Sequence, residues 1–434
     1  MTDLVTINDL RVDFHVHGGL VQAVKGASLR IRQGSTVALV GESGSGKSVI
    51  SQAIMGILPN VARITGGEIL FADPTRSGAV VDIAKLDPNS AEMRGIRGGR
   101  ISIIFQEPMT SLSQLHTIGN QIGEALHLHR DVGKKEGLDI VTDMLRLVGF
   151  PDPPNAVNMY PFELSGGLRQ RAMIAMSLVC HPALLIADEP TTALDVSIQA
   201  QILGLIKNLQ SELGMAVLMI THDLGVVANI AEEVVVLYHG EVMEAGTIED
   251  IFEHPAHPYL KALRAAVPHF DMKEGERLVP LREIEAKSGP LMAGKEPWPE
   301  GSDTIWPLLS VQNLTKVFTT RKSGLLSAGP TSQVKAVDDV SFDIKRGECF
   351  GLVGESGCGK TSVSKMIMRA VTPDEGSILF NDRGKPIDLA ELDGDELMDY
   401  RQKIQMVFQD PFSSLNPRMT VFDIIREPLI IHKI

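Results

Sequence analysis

Four short apolar runs set the predicted architecture of this chain. TVALV (36–40), ISIIF (101–105), LLIA (184–187) and AVLMI after Gly214 carry no polar alternation. Runs so short and so uniformly apolar fit strands buried on both faces. Between the last two lies SIQAQILGLIKNLQSEL, in which Ile198, Ile202, Leu205, Ile206, Leu209 and Leu213 fall on one helical face. Buried strands alternating with amphipathic helices predict a mostly parallel sheet and an α/β fold.

The pattern occurs twice. GESGSGKS at Gly41–Ser48 returns as GESGCGKT at Gly354–Thr361, and FQEPMTSLS at Phe105–Ser113 returns as FQDPFSSLN at Phe408–Asn416. DLRVDF before the first loop is matched by NLTKVF before the second. The copies lie about 300 positions apart, far beyond a solenoid period, so they mark two copies of one domain. Between them, residues 268–307 carry Pro290, Pro297, Pro299 and Pro307 with no apolar period, as an interdomain linker does. The expected organisation is a complete domain at 1–267, a linker at 268–307 and the N-terminal half of a second domain at 308–434. Residues beyond Gln409 are too few to repeat the long stretch after Gln106, so a longer form continuing past Ile434 is expected.

Bulk properties narrow the function classes. A formal net charge of -13 argues against a broad nucleic-acid footprint. The one basic cluster of the first half, Arg94, Arg97 and Arg100, reads as a solvated loop. No apolar stretch reaches the ~18 residues of a membrane span, and the N-terminus lacks a secretory signal. Three cysteines, Cys180, Cys349 and Cys358, have no CxxC spacing, which disfavours a disulfide framework or zinc site. A cytosolic protein is expected, reaching a membrane through partners.

Gly41–Ser48 fits GxxxxGK[ST] between a strand and the helix-forming run VISQAIMGIL. Glycines at Gly41, Gly44 and Gly46, with Ser43, let backbone N–H groups close around phosphates at a helix N-terminus. Lys47 is placed for the β- and γ-phosphates and the Ser48 hydroxyl for Mg²⁺. Gly354, Gly357, Gly359, Lys360 and Thr361 take the same reading in the second copy. LLIADEP ends an apolar strand in two acids, Asp188 for Mg²⁺ and Glu189 for polarising water; phosphoryl transfer asks little more of a protein than positioning and charge. In LSGGLRQR, Ser165, Gly166 and Gly167 open a helix, a second anion-binding terminus, although Ser165 could be a plain N-cap.

This ordered set, closing with Asp195 and His222, resembles the nucleotide-binding subunit of an ATP-binding cassette (ABC) transporter. The resemblance covers the first domain and half of the second. It implies a P-loop α/β core with a helical subdomain inserted at about 107–180, ATP and Mg²⁺ as ligands, and two domains sandwiching two ATPs. Each ATP is then held by one domain's phosphate loop and the other's LSGG helix. By position, Gln106 and Gln409 resemble the glutamine that senses γ-phosphate and metal, Ala193–Asp195 the D-loop, and His222 the switch histidine. Phe14 and Phe318 stand where the family stacks an aromatic on adenine; for Phe14, core packing is the alternative. Leu168 and Phe162 depart from common family residues without disabling the motif.

FQEPMTSL, YPFELSGGLRQR, ADEPTTALDVSIQAQIL and HPAHPYLKALRAAVP are similar to dipeptide/oligopeptide permease ATPases, including their fused two-cassette forms. That similarity implies an energy-coupling ATPase at the cytoplasmic face of a bacterial inner membrane. Its expected partners are two membrane permeases and a periplasmic binding protein, with no nucleic acid; a homodimer through the first domain is a further expectation. The cysteine-free linker predicts no iron–sulfur centre. The alternative is a soluble tandem-cassette ATPase acting on ribosomes or DNA, disfavoured by the acidic balance and the HPYLKALRAAVP segment. Because the second copy lacks a signature helix, an Asp-Glu pair and a switch histidine, weak activity as a monomer is expected.

Overall fold

The computed structural model describes residues 2–76, 79–106, 111–192, 194–267, 278, 299, 306–324, 327–355, 357–409 and 414–433. The chain divides into two compact units, Met1–Glu285 and Ala286–Ile434.

In the first unit the strands are β1 (Asp3–Val16), β2 (Gly19–Arg32), β3 (Thr36–Val40), β4 (Ala62–Ala72), β5 (Val80–Asp82), β6 (Ile101–Ile104), β7 (Leu184–Asp188), β8 (Ala216–Thr221), β9 (Glu233–Tyr238) and β10 (Glu241–Thr247). They form two sheets. An antiparallel one runs β2-β1-β4-β5, and a six-stranded one runs β10-β9-β3-β8-β7-β6. In the latter, β9, β3, β8, β7 and β6 are parallel and β10 is antiparallel to β9. The apolar runs read from sequence are thus β3, β6, β7 and β8 of this sheet; β6 stands at its edge, and every residue of the interior strands β3, β7 and β8 is buried.

The main helices of this unit are α1 (Lys47–Ile54), α2 (Ala91–Ile96), α3 (Ile118–His129), α4 (Lys134–Leu147), α5 (Gly166–Leu178), α6 (Val196–Leu213), α7 (Leu224–Ile230) and α8 (Pro258–Ala265). One core joins the two sheets through Val5, Ile7, Leu39, Ile50, Phe71 and Leu218. A second, around Ile122, Met144, Ile174, Leu185 and Ile206, fixes the helices of 118–178 and α6 on the other face of the parallel sheet. Helix α6 buries Ile202, Ile206 and Leu209 as its pattern predicted, while Ile198, Leu205 and Leu213 pack at its margin.

The basic cluster corrects an expectation, because two of its arginines are structural ties. Arg97 donates to the carbonyls of Met55, Gly56 and Pro88. Arg100 grips Asp73 through Nε and Nη2, and its own carbonyl accepts from Ala183 and Leu184 at the start of β7. Their charges satisfy loop carbonyls and a buried carboxylate, which a composition-based reading cannot see.

The second unit repeats only part of this plan among its described residues. β11 (Leu309–Gly324), β12 (Ser327–Ile344), β13 (Glu375–Asp382) and β14 (Lys385–Asp388) form an antiparallel sheet in the order β12-β11-β13-β14, the counterpart of β2-β1-β4-β5. Helices α9 (Lys360–Ile367), α10 (Gly394–Arg401) and α11 (Val421–Ile431) accompany it. CFGLV (349–353), the counterpart of β3, forms no strand, and Val353 is 89% exposed. In the first unit β3 is sandwiched between β8 and β9. Among the described residues of the second unit no parallel neighbour stands beside 349–353, and an isolated strand leaves its backbone groups unpaired.

Candidate functional site

Because β3, β7, β8 and β6 run parallel and adjacent, their carboxyl ends emerge at one edge of the sheet, the usual location of α/β binding sites. Val40 lies opposite Thr221, Asp188 opposite Ile220 and Ile104 opposite Ala187. The segments leaving these strand ends are therefore neighbours: the Gly41–Ser48 loop, Gln106, Asp188–Glu189 and His222.

The loop's shape follows from its glycines. Gly46, at the N-cap of α1, has φ 104°, and a Cβ there would lie 2.6 Å from the carbonyl of Ala23. A Cβ on Gly41 would lie 2.1 Å from the carbonyl of Leu237. Only glycine permits both close approaches. Lys47 is buried and donates from Nζ to the carbonyls of Gly41 and Glu42, each at 2.8 Å. Burial holds its pKa below the ordinary lysine value, against the opposing pull of Glu189, Asp188 and Glu42.

Ser48 Oγ lies 3.4 Å from Asp188 Oδ1. Burial pushes the Asp188 pKa above the usual carboxylate value, and the bond from Ser48 only partly offsets it. A buried carboxylate beside a hydroxyl is a hard-oxygen pair that a small divalent cation would suit, since its charge repays the desolvation. Gln106, the third residue expected at the metal, donates its amide to Glu189.

Glu189 has φ 48°, a backbone region costly for a residue with a Cβ. Its N–H still bonds Ile220, so the strain lies at the strand's exit. The side chain is held by three groups: Gln106 Nε2 at 2.8 Å and Thr192 Oγ1 at 2.9 Å on Oε2, and His222 Nδ1 at 3.0 Å from Oε1. Such fixation aims an acceptor at the space in front of the loop, as a water-positioning group requires.

Ser165 caps α5, its Oγ accepting from Leu168 N–H at 3.4 Å, so the bland reading holds locally. Ser165 and Gly166 are also exposed, leaving the first turn of a 13-residue helix open to a ligand. That turn belongs to the helical layer, yet Gln170, buried one turn on, donates to the carbonyl of Pro190 at 2.6 Å. Gln170 and Thr192 escaped the sequence reading. The run DEPTT next to Glu189 was a signal for the latter; nothing in the sequence pairs Gln170 with Pro190.

Asp195 caps α6 through Ile198 N–H, and Ala193 lies outside the described residues. Phe14 sits in β1 opposite Val21 and Ala62, half-buried against the first core. Phe318 is 40% exposed, with Lys316 Nζ 5.8 Å from its ring centre.

The second loop reproduces the first. Gly359 has φ 102°, a Cβ there would lie 2.2 Å from Ala336 O, and Lys360 donates to Gly354 and Glu355 at 2.7 Å each. Lys360, Thr361 and Gln409 line one cleft of about 820 Å³. Gly354 and Gly357 also adopt positive φ.

Comparisons with known proteins give the family. Residues 24–192 and 337–431 match the family described as ABC transporter. The chain is 45% identical over 438 residues to the glutathione import ATP-binding protein GsiA of Salmonella typhimurium (strain LT2), covering 99% of this chain and 68% of that protein. GsiA of Escherichia coli (strain K12) is 44% identical over 435 residues, with the same coverage. A dimeric ATP-binding cassette in a post-hydrolysis state with ADP and Pi is 27% identical, with a TM-score of 0.49 over 56% of this chain and 98% of that one. Two matching segments, and relatives 44–45% identical over nearly the whole chain, lead to a plain conclusion: the chain belongs to the ABC transporter family, whose ATP-binding cassettes hydrolyse ATP.

Proposed function

We propose that this chain is the energy-coupling ATPase of a peptide-type importer, acting at the cytoplasmic face of a membrane with permease subunits and an external solute-binding protein. The observation that carries the catalytic part is Glu189, held by Gln106, Thr192 and His222 at the end of a buried strand. The similarity to import ATPases over nearly the whole chain supports the transport part, and neither GsiA relative speaks for ribosomes or DNA.

In this reading the amides of Gly41–Ser48 and the Lys47 ammonium bind the phosphates. Ser48 and Asp188, with Gln106, hold Mg²⁺, which neutralises charge on the phosphates when bound. Glu189 orients and polarises the attacking water, and His222 fixes Glu189 and the γ-phosphate. Gly354–Thr361 and Gln409 form a second nucleotide site, and Phe14 and Phe318 face the adenines. The domain limits 1–267 and 308–434 belong to the same proposal.

The Ser165–Gly167 turn, exposed at Ser165 and Gly166, serves a phosphate loop across a pair of cassettes, and a homodimer through the first units is one such pairing. ATPase rate per chain should rise steeply with protein concentration; a rate that is flat and high at monomeric dilution rejects the pairing. Co-purification with integral membrane subunits, and ATP-driven solute uptake in reconstituted vesicles, test the transport role. Recovery with ribosomes instead would reject it.

A further inference from the structure

Helix α5 opens on the exposed residues Ser165 and Gly166, yet by Gln170 it is buried to 2% exposure. The next residues, Ala172, Met173 and Ile174, belong to the second core, where an amide is costly unless it is paired. Gln170 Nε2 donates to the carbonyl of Pro190 at 2.6 Å, and among the described residues no other hydrogen bond reaches that oxygen.

Pro190 follows Glu189 directly. Thr192 N–H donates to the Glu189 carbonyl at 3.2 Å, which closes a turn over 189–192 with proline at its second position. The Pro190–Thr191 peptide is the central one of that turn, the unit whose orientation separates turn types I and II. Gln170 therefore grips the one peptide that could reorient the turn. The same turn carries Thr192, whose hydroxyl donates to Glu189 Oε2 at 2.9 Å, and Glu189 itself at a φ of 48°. A torsion of that kind persists only where the surrounding contacts over-determine it. Helix α5 also meets the far end of this loop. A Cβ on Gly167 would lie 3.2 Å from Ile198 Cγ2, and Arg171 Nη2 donates to Gln201 Oε1 at 3.2 Å. The helix is thus a platform under residues 189–201, and Gln170 is its contact next to Glu189. We propose that Gln170 is a positioning residue for hydrolysis: by fixing the Pro190 carbonyl it sets the turn that aims Glu189. The proposal rests on the reading of Glu189 as the water-positioning group.

The test uses the full chain carrying Lys360→Ala, so that nucleotide binding reports the first loop, at one fixed protein concentration. Steady-state ATPase, calorimetric MgATP affinity and thermal unfolding are the readouts. Gln170→Met keeps the side chain's length and removes the donor. Its kcat should fall roughly tenfold, the scale of one hydrogen bond. Its Kd for MgATP should stay within about twofold, because Gly41–Ser48 is untouched. Ile174→Val, fully buried in the same helix, should also lower the melting temperature but leave kcat within about twofold. A merely structural role for Gln170 would make the two variants alike. In a Glu189→Gln background Gln170→Met should change the residual rate less than about twofold, since the group it positions has gone. Thr192 is exposed, so Thr192→Val cuts the same path at its far end without touching the core. It should lower kcat severalfold at unchanged Kd even if Gln170→Met fails to fold. Unchanged kcat in either variant, a loss confined to affinity, a kcat loss equalled by Ile174→Val, or a full further loss on Glu189→Gln each overturns the proposal. Glu189→Gln alone separates the levels. If it slows hydrolysis while Gln170→Met does not, only the Gln170 role fails; if it leaves turnover intact, the reading of Glu189 fails and the proposal with it.

Discussion

The two phosphate loops are nearly the same object in different surroundings. Gly46 and Gly359 share a φ near 100°, and Lys47 and Lys360 each donate to the first two carbonyls of their loop. Behind the first, β3 is buried between two parallel neighbours; behind the second, residues 349–353 are exposed and form no strand. Ser48 meets Asp188, whereas Thr361 faces no carboxylate among the hydrogen bonds of the described residues. The loop is a local structure, closed by glycine conformations and one lysine. The candidate site around it is non-local, built from strands up to about 180 residues away whose pairing must first form.

Four measurements would break or sharpen this contrast. The largest effect is expected at Glu189, which has no counterpart in 308–434. Glu189→Gln should leave MgATP binding intact and slow steady-state hydrolysis roughly 10²–10⁴-fold, the scale of a lost general base. Undiminished turnover would assign the water to another group. Next come the strands: Leu39→Ala, at a fully buried site, should cost about 2–5 kcal/mol in denaturant unfolding of the first unit. Leu352→Ala, at the matching run but 40% exposed, should stay within about 0.5 kcal/mol. Equal costs would mean the second run is buried after all.

The lysines should differ less. Lys47→Ala should weaken MgATP binding at the first loop roughly 10–100-fold by calorimetry, and Lys360→Ala should do the same at the second, because each removes a charge-assisted contact. A change at one site alone would show that loop geometry does not suffice. The smallest effect concerns the ion pair at the end of the matching strand in each unit, Arg100–Asp73 after β4 and Lys403–Asp382 at the end of β13. Burial would raise the Asp73 pKa, but hydrogen bonds from Arg100 and Thr75 outweigh it and hold it below the usual value. A depressed folded-state pKa stabilises fully above the unfolded value of about 4 and is lost as pH falls through the folded one. Asp73→Asn should therefore cost about 1–2 kcal/mol at neutral pH and almost nothing in strong acid. A cost that is the same at both pH values would remove the ionised pair as its cause.

Much of the site was legible in sequence because its parts are contiguous. Lys47 and Ser48 come with their glycines, Asp188 and Glu189 with their strand, and His222 follows another. The supporting contacts were not. Gln170 finds Pro190 only after helices pack, and Arg97 and Arg100 read as solvated charge until their carbonyl and carboxylate partners arrive from residues 55–88.

By itself the sequence determined where each loop turns and which acids end a strand, since glycine torsions and apolar runs are properties of a few adjacent residues. Tertiary structure alone decided which strands stand beside TVALV: β8 and β9, distant in sequence, complete its backbone hydrogen bonds on either side. It also decided that Glu189 takes a strained φ of 48°, because only the convergence of Gln106, Thr192 and His222 over-determines a conformation the residue would not adopt alone.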